Sequence, residues 1–242
     1  MSDGMGADPT KPLLFLDGNG VLYVKMDKNQ VSSEAYKGLR KVERPKYTLV
    51  ERKGVREFVK ALAQLGSVAV YTSTTRRNVA PATDEIFESL GLEYHLFDRN
   101  MTEMPDYPLS KNGKMDPYGR VKPLDRVEVL MDLPFDVNAE GWMRYKPETS
   151  TVEHPNGDVV LTGVELGRPR VLIDDEWQTA SVNRCNEYSI VPAKVAKDPS
   201  EPIPYWILEE VKDKLRSQTA SFKGSPGPST TKSLARNRRL RV

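Results

Sequence analysis

Residues 12–23 have the sequence PLLFLDGNGVLY, and the rest of the architecture follows from this stretch. Four consecutive apolar residues, Leu13 to Leu16, predict a fully buried strand, and the Gly-Asn-Gly after Asp17 predicts a turn that ends it. Ligands of open parallel sheets bind in the crevice outside the carboxyl ends of the strands. The stretch therefore places a carboxylate where chemistry can occur. The same residues also suit a simple chain reversal, because Gly and Asn tolerate positive φ.

The remaining apolar patterns alternate between strands and helices. Apolar residues at helical spacing predict helices, and short apolar runs bounded by turn residues predict strands. The predicted helices cover 54–66, 81–90 and 203–215, and the later predicted strands cover 67–71, 94–97, 170–175 and 188–192. Strands that alternate with helices pair in parallel through crossover connections. The sequence therefore predicts an α/β fold, a doubly wound parallel sheet flanked by helices.

The 242-residue chain is predicted to form one domain with extensions. We expect a disordered leader over 1–11, a domain over 12–216 with a rim insertion over 132–168, and a disordered basic tail over 217–242. The tail contains six Lys and Arg residues and no acids, and its Ser-, Pro- and Gly-rich composition cannot bury a core. Clustered basic residues in a flexible segment neutralise phosphates, so a nucleic-acid partner is one hypothesis for the tail. A solubilising or targeting role is the other.

Cysteine content and hydropathy indicate the compartment. A single cysteine, Cys185, excludes an internal disulfide framework and is typical of a reducing environment. No apolar run approaches the roughly 18–20 residues that span a bilayer, and the leader lacks the basic and apolar regions of a secretory signal. We therefore expect an intracellular protein without a transmembrane segment.

Side chains suited to phosphoryl transfer follow the predicted strands. A carboxylate can attack phosphorus, hydroxyl and ammonium groups can bind phosphoryl oxygens, and Mg²⁺ prefers carboxylate oxygens. The residues that supply these groups are Asp17, Thr72, Ser73, Lys122, Asp174 and Asp175. Adjacent acids at a strand end repel each other unless a cation lies nearby. The hydroxyl pair could instead cap the following helix, and the lysine could be a solvated surface residue.

Four further segments resemble motifs of one family and occur in that family's order. They are RKGVREF over 52–58, YTST over 71–74 with APATD over 80–84, VKPL over 121–124 and IDD over 173–175. Together they resemble the haloacid-dehalogenase (HAD) superfamily of aspartyl-phosphate phosphotransferases. More narrowly they resemble its C-terminal-domain phosphatase branch, also called NLI-interacting-factor-like, which dephosphorylates serines in the RNA polymerase II tail. The resemblance covers residues 12–216 apart from the insertions and implies a HAD-like hydrolase with a phosphoprotein substrate.

This resemblance implies catalytic and phosphate-binding roles for four residues at the predicted sheet edge. Asp17 would be the nucleophile, and Lys122 would stabilise the aspartyl phosphate. The hydroxyl of Thr72, with that of its neighbour Ser73, would bind phosphoryl oxygens. The expected reaction is the hydrolysis of phosphoserine or phosphothreonine in a protein.

The resemblance also implies a magnesium cofactor. Asp17 and Asp174 would hold Mg²⁺ together with the backbone carbonyl of Asn19. Asp175 stands where the branch usually has Asn and joins the expected metal site. The sequence therefore predicts a Mg²⁺-dependent enzyme whose metal lies beside the nucleophile.

One residue departs from the family pattern. Active members have an aspartate general acid and base two residues after the nucleophile, and this chain has Asn19 there. An amide cannot protonate a leaving alkoxide, and the loss of such assistance lowers rates by about 10²–10⁴-fold. Some members with altered motifs, including the mitochondrial inner-membrane translocase receptor, bind protein segments instead. Two hypotheses stay open: an active phosphatase, and a catalytically silent pseudoenzyme that binds a partner protein in a larger assembly.

Overall fold

The computed structural model describes residues 11–102, 120–124, 127, 144–146, 151–153, 159–160 and 168–224. Within these residues the strands are, in chain order, β1 (Leu13–Leu16), β2 (Tyr23–Met26), β3 (Lys41–Glu43), β4 (Thr48–Glu51), β5 (Ser67–Tyr71), β6 (His95–Phe97), β7 (Arg144–Lys146), β8 (Thr151–Glu153), β9 (Val159–Val160), β10 (Arg170–Asp174) and β11 (Tyr188–Ile190). The α-helices there are α1 (Val55–Ala63), α2 (Arg76–Leu90), α3 (Trp177–Ala180), α4 (Ala193–Ala196) and α5 (Tyr205–Gly224). Single 3₁₀ turns cover Glu34–Tyr36 and Arg99–Met101.

Five parallel strands form the central sheet in the order β11-β10-β1-β5-β6. From β1 in the middle, the chain passes through β5 to the edge strand β6 and later returns to β10 and β11 on the other side. All of Leu13–Leu16 is buried, because a central strand of a sheet covered on both faces has no solvated side. The predicted α/β fold with a doubly wound parallel sheet is confirmed.

Helices and loops cover both faces of this sheet. On one face Leu14 and Leu16 pack in a core with residues of α1, α2 and α5. On the other face Leu13 and Phe15 pack with α3 and with Leu124. This second core fixes the segment around Leu124 close to β1.

A small antiparallel sheet with the order β2-β4-β3 lies between β1 and α1 in the sequence. It has its own apolar core of Val24, Met26, Val31 and Val50. The sequence of 23–50 is polar and lysine-rich without a clear period, which indicates an insertion over the crevice, and only Val21, Tyr23 and Val24 suggest a strand or hairpin at its start. Its first strand, β2, begins directly after the turn that follows Asp17.

The predicted rim insertion over 132–168 contains the strands β7, β8 and β9, which pair as an antiparallel sheet. The rest of the insertion, except for residue 168, lies outside the described residues. Its boundaries and its packing stay predictions.

The predicted tail boundary at 217 is wrong. Helix α5 continues past the expected end at Leu215 to Gly224. The Gln218 side chain is buried, accepts a hydrogen bond from the Arg170 backbone N–H at 2.9 Å, and donates to the carbonyls of Arg170 and Asn186 at 2.9 and 2.7 Å. These bonds attach the last turns of α5 to β10. Residues 1–10 and 225–242 lie outside the described part of the chain, so their disorder and the nucleic-acid hypothesis stay predictions.

None of the helices in the described ranges combines the length and the apolar composition that crossing a membrane requires. Cys185 is exposed as a free thiol. An intracellular location stays a prediction.

Candidate active site

The parallel register brings two of the predicted acids to one edge of the sheet. Leu16 is aligned with Ile173 of β10 and with Val70 of β5, so that Asp17 and Asp174 follow on adjacent strands. The Asp17 backbone N–H donates to the Ile173 carbonyl at 2.8 Å. Because the chain changes direction across the sheet at β1, both acids lie at the switch point where ligands of such sheets bind.

The ammonium group of Lys122 joins these two acids. Its Nζ lies 2.6 Å from Asp17 Oδ1 and 2.7 Å from Asp174 Oδ2, and all three side chains are buried. Burial alone would lower the pKa of Lys122, but the two carboxylates outweigh burial and raise the pKa above its usual value. Lys122 is therefore a charged group inside the site and not a solvated surface lysine.

Bonds from the segment around α3 hold Lys122 in place. The Lys122 backbone N–H donates to the Thr179 carbonyl at 2.9 Å. The Asn183 side chain donates to the Lys122 carbonyl and accepts from the Leu124 N–H, both at 2.9 Å. Sequence reasoning missed Thr179 and Asn183, because no local pattern distinguishes them from other polar residues after a strand.

The Asp174 carboxylate is fixed by further donors. The Thr179 hydroxyl donates to Asp174 Oδ2 at 3.0 Å, and the Glu176 backbone N–H donates to Asp174 Oδ1 at 2.9 Å. Together with Lys122, these groups leave the carboxylate little rotational freedom. Asp174 is therefore preorganised within the site.

Three acids form a cluster that fits a divalent cation. Asp17, Asp174 and Asp175 each place a carboxylate oxygen within 4.8 Å of the others. Burial raises the pKa of Asp17 to about 7 although the Lys122 ammonium opposes the shift, and the charge of Asp174 adds a smaller upward contribution. Burial and the charges of Asp17 and Asp174 raise the pKa of Asp175 to about 8. Negative charge is thus disfavoured in the protein alone, and oxygen ligands in this number suit Mg²⁺, which would neutralise it.

Two glycines make room in the turn after Asp17. A Cβ atom at Gly18 would collide with the Tyr23 hydroxyl, and one at Gly20 would collide with the Asp175 carboxyl group. Gly20 also has φ +88°, a left-handed conformation that side chains disfavour. The turn that reverses the chain after β1 is therefore also part of the site, because the groups that it packs against line the site.

Asn19 lies at the tip of this turn. Its Oδ1 accepts a hydrogen bond from the Lys25 backbone N–H of β2 at 2.9 Å. The side chain lines the same cavity as Asp17. Asn19 therefore links the turn to the small sheet and faces the acids at the same time.

The predicted hydroxyl residues occupy two different positions. Thr72 is buried, with its Oγ1 accepting a 3.3 Å hydrogen bond from the Thr74 N–H and lying near Gly18. Ser73 lines the cavity next to Asp17, as does Thr74. The structure thus brings Ser73 to the cavity surface and keeps Thr72 beside the residue that follows Asp17.

A cavity of about 210 Å³ lies at these residues. Its walls include Asp17, Lys122 and all of the acid cluster, β2 contributes Tyr23 and Lys25, and Tyr47 lies just before β4. Lys25 Nζ lies 4.5 Å from the centroid of the Tyr47 ring. The cavity is smaller than the roughly 300–1,000 Å³ of typical small-molecule sites, so it suits the end of a side chain better than a whole metabolite.

Arg52 stabilises the turn that follows β1. The side chain is 1% exposed and makes hydrogen bonds with lengths of 2.6–3.2 Å. The carbonyl oxygens that accept them belong to Gly20, Val21, Val195, Ala196, Asp198 and Glu201. Burial lowers the pKa of Arg52 to about 10, although the charges of Asp175 and Asp198 oppose the shift. Arg52 therefore joins the turn after β1 to the segment 195–201, a role that the sequence motif at 52–58 did not reveal.

Replacing Arg52 by Met should lower the free energy of unfolding by about 3–5 kcal/mol. The change leaves several buried carbonyls without donors, and a single unsatisfied buried group costs about 1–3 kcal/mol. Urea unfolding followed by circular dichroism measures the effect. The matched control is Arg56→Met, which removes only a half-buried ion pair with Glu51 and should cost about 1 kcal/mol or less. Equal losses in the two variants would contradict the role given to Arg52.

No protein-family model and no curated protein sequence matches the chain. Similar solved structures include a variant of the fission yeast RNA polymerase II CTD phosphatase Fcp1 bound to beryllium fluoride, with 12% identity and a TM-score of 0.43. They also include a structure of Fcp1 described as an essential RNA polymerase II CTD phosphatase, with 14% identity and a TM-score of 0.42. The matches cover 88% and 91% of this chain but 52% and 56% of those chains, so the chain spans about half of their length.

Both solved structures are C-terminal-domain phosphatases, the branch whose motifs the sequence resembles. The chemistry of the site rests on the positions of Asp17, Lys122 and the acid cluster.

Proposed function

We propose that this chain is a Mg²⁺-dependent phosphatase that hydrolyses phosphomonoesters through an aspartyl phosphate on Asp17. One observation carries the proposal: a buried lysine bridges Asp17 and Asp174 at the carboxyl edge of the sheet, beside a third acid. A carboxylate, an ammonium donor and a divalent-cation site in contact are the parts that phosphoryl transfer requires. The small cavity and the resemblance to C-terminal-domain phosphatases favour phosphoserine or phosphothreonine of a protein as the substrate.

In the first step, an Asp17 carboxylate oxygen attacks phosphorus and forms an acyl phosphate while the bond to the ester oxygen breaks. Lys122 stays charged and stabilises the negative charge that collects around Asp17. Mg²⁺ held by Asp17, Asp174, Asp175 and the Asn19 carbonyl would neutralise the carboxylates and the phosphoryl oxygens. The departing oxygen takes its proton from water, because the N–H protons of the Asn19 amide are not acidic enough to be transferred.

In the second step, water attacks phosphorus, the bond to Asp17 breaks, and inorganic phosphate leaves. The proton of the attacking water goes to solvent, since an amide at position 19 is not a base. The Asp17 carboxylate is regenerated and returns to its ion pair with Lys122. The first step is therefore expected to be slow with serine phosphates and faster with esters of acidic alcohols, whereas the second step is slow with either substrate because the alcohol has already left.

Steady-state hydrolysis of p-nitrophenyl phosphate and of a phosphoserine peptide, with Mg²⁺ and with EDTA, tests the proposal. We expect turnover of the aryl ester that needs Mg²⁺ and slower turnover of the peptide. Absence of turnover with both substrates would rule out the phosphatase and favour the catalytically silent alternative. Turnover that survives EDTA would remove the metal from the proposal.

Mg²⁺ is expected to stabilise the fold through the acid cluster. At about a hundredfold excess over its dissociation constant, a ligand of the folded state adds about 2.7 kcal/mol to the free energy of unfolding. Asp175→Asn should reduce this gain, and without metal it should unfold at the same or a higher temperature than the parent, because one of three mutually repelling acids is gone. Differential scanning calorimetry with and without Mg²⁺ measures both effects.

The control for this experiment is Asp213→Asn, which removes an exposed acid from α5 that pairs with Arg216. Its unfolding temperature should rise with Mg²⁺ as much as that of the parent. An Asp175→Asn protein that responds to Mg²⁺ like this control would place the metal elsewhere.

A further inference from the structure

The hydroxyl of Tyr23 has no hydrogen-bond partner in the described part of the chain. Tyr23 begins β2 and is 1% exposed, and its hydroxyl oxygen is buried. The Thr83 hydroxyl, which donates to the Val79 carbonyl at 3.0 Å, also interacts with the Tyr23 hydroxyl and lowers its pKa, but the two hydroxyls do not have the geometry of a hydrogen bond. Buried polar groups without a partner are rare and destabilising, so a tyrosine at this position needs a reason that phenylalanine would not satisfy.

The position of this hydroxyl relates it to the nucleophile. Tyr23 lines the cavity that contains Asp17. Its hydroxyl lies so close to Gly18 that a Cβ atom there would collide with it, and the same Cβ would lie 3.3 Å from Thr72 Oγ1. Gly18 is bonded directly to Asp17. The Tyr23 and Thr72 hydroxyls therefore stand on one side of the residue that follows the attacking carboxylate.

Electrostatics keep this hydroxyl protonated. Burial, and then the charge of Asp17, raise the pKa of Tyr23 well above its usual value. A neutral phenol beside a carboxylate cluster can donate a hydrogen bond. The Tyr23 hydroxyl is therefore available as a donor to a group bound in the cavity.

We propose that the Tyr23 hydroxyl donates a hydrogen bond to a phosphoryl oxygen of the substrate and is a further catalytic residue of this site. The inference rests on the proposed phosphatase function and adds to it a donor from the small sheet. A donor that is unpaired in the free protein makes its bond only when a phosphoryl group is bound. Such a hydrogen bond becomes stronger as negative charge develops on the phosphoryl oxygens. It therefore contributes to catalysis and not to the stability of the free protein.

A purely structural tyrosine makes a different prediction from a catalytic one. If the ring only fills the core beside Gly18, phenylalanine serves equally well and changes neither phosphate binding nor rate. If the hydroxyl binds phosphoryl oxygens, Tyr23→Phe loses activity although the fold does not suffer. The combination of lower activity with unchanged or higher stability is therefore diagnostic.

The experiment compares Tyr23→Phe with Tyr71→Phe in the full chain. Tyr71 is also fully buried, but its hydroxyl donates to the Met101 carbonyl at 2.7 Å, and its ring packs on the face of the sheet that Phe15 occupies. For Tyr23→Phe we expect kcat/KM for p-nitrophenyl phosphate to fall about 10- to 100-fold, with an unfolding temperature equal to or above that of the parent. For Tyr71→Phe we expect a lower unfolding temperature and an unchanged kcat.

A second measurement does not depend on turnover. Beryllium fluoride with Mg²⁺, which mimics a phosphoryl group on an aspartate, should raise the unfolding temperature of the parent and of Tyr71→Phe. The rise should be smaller for Tyr23→Phe. A parent that neither turns over substrate nor responds to beryllium fluoride overturns the proposed function and this inference with it. A parent that does both, with a Tyr23→Phe variant that matches it, overturns the inference alone.

Discussion

The Asp17→Asn variant is expected to lose aryl phosphatase turnover by about 10⁴-fold or more while it keeps its fold. An amide of nearly the same shape cannot attack phosphorus, and removal of a nucleophile typically lowers kcat by this amount. Steady-state hydrolysis of p-nitrophenyl phosphate, with protein-bound phosphate measured after acid quench, records the loss. Neither turnover nor bound phosphate should be detectable above the uncatalysed background.

The structure explains why the same change should not unfold the protein. Lys122 keeps its 2.7 Å contact with Asp174 when Asp17 becomes neutral, and the repulsion among the three acids decreases. The unfolding temperature should therefore stay at or above that of the parent. The control is Phe87→Ala, a truncation of a fully buried residue of α2 that should cost about 3–5 kcal/mol.

Two outcomes would contradict this account of Asp17. A loss of stability as large as that of Phe87→Ala would make Asp17 a structural residue. Turnover that remains within tenfold of the parent would assign the nucleophile to another group.

The sheet could be predicted from the sequence because its strands are buried on both faces. Such strands need continuous apolar runs, and Leu13–Leu16 and Val171–Ile173 provide them. The acids directly after these runs could be placed at the carboxyl edge for the same reason. Because the strands pair in parallel, these acids could be predicted to lie close together without any knowledge of side-chain contacts.

Lys122 could be located only through the family resemblance. The segment that carries it is not a strand of the sheet, and its position depends on Asn183 and Thr179, which lie about sixty residues further along the chain. The role of Arg52 could not be predicted from the sequence either. It depends on backbone carbonyls of distant segments, and every residue has a carbonyl, so the sequence does not indicate which ones Arg52 will bind. The end of α5 was predicted too early because Gln218 looks like a tail residue until its bonds to β10 are seen.

Replacing Asn19 by Asp is expected to increase the hydrolysis of phosphoserine peptides by about 10²–10⁴-fold. A carboxylic acid at this position can protonate the departing serine oxygen, and its conjugate base can then activate water. The gain with p-nitrophenyl phosphate should be smaller, because that leaving group needs little protonation. The substitution should preserve the turn, since an aspartate oxygen can accept the same hydrogen bond from the Lys25 N–H.

Rapid-quench measurement of protein-bound phosphate separates the two steps. In the parent, we expect the aspartyl phosphate to accumulate during aryl ester turnover, because water attacks it without a general base. In Asn19→Asp the bound phosphate should fall while turnover rises. The control variant is Asn29→Asp, which adds the same negative charge at an exposed position of the small-sheet insertion.

The phosphatase hypothesis and the pseudoenzyme hypothesis predict different activities toward the phosphoserine peptide. Activity that appears only in Asn19→Asp means that the cavity, the metal site and Asp17 are intact and that the parent is catalytically silent because it lacks the acid. Activity in both proteins with a large gain in the variant means a slow phosphatase. Measurable and equal peptide rates in the parent and in Asn19→Asp would show that another group supplies the proton, because Asn19 would then limit neither step.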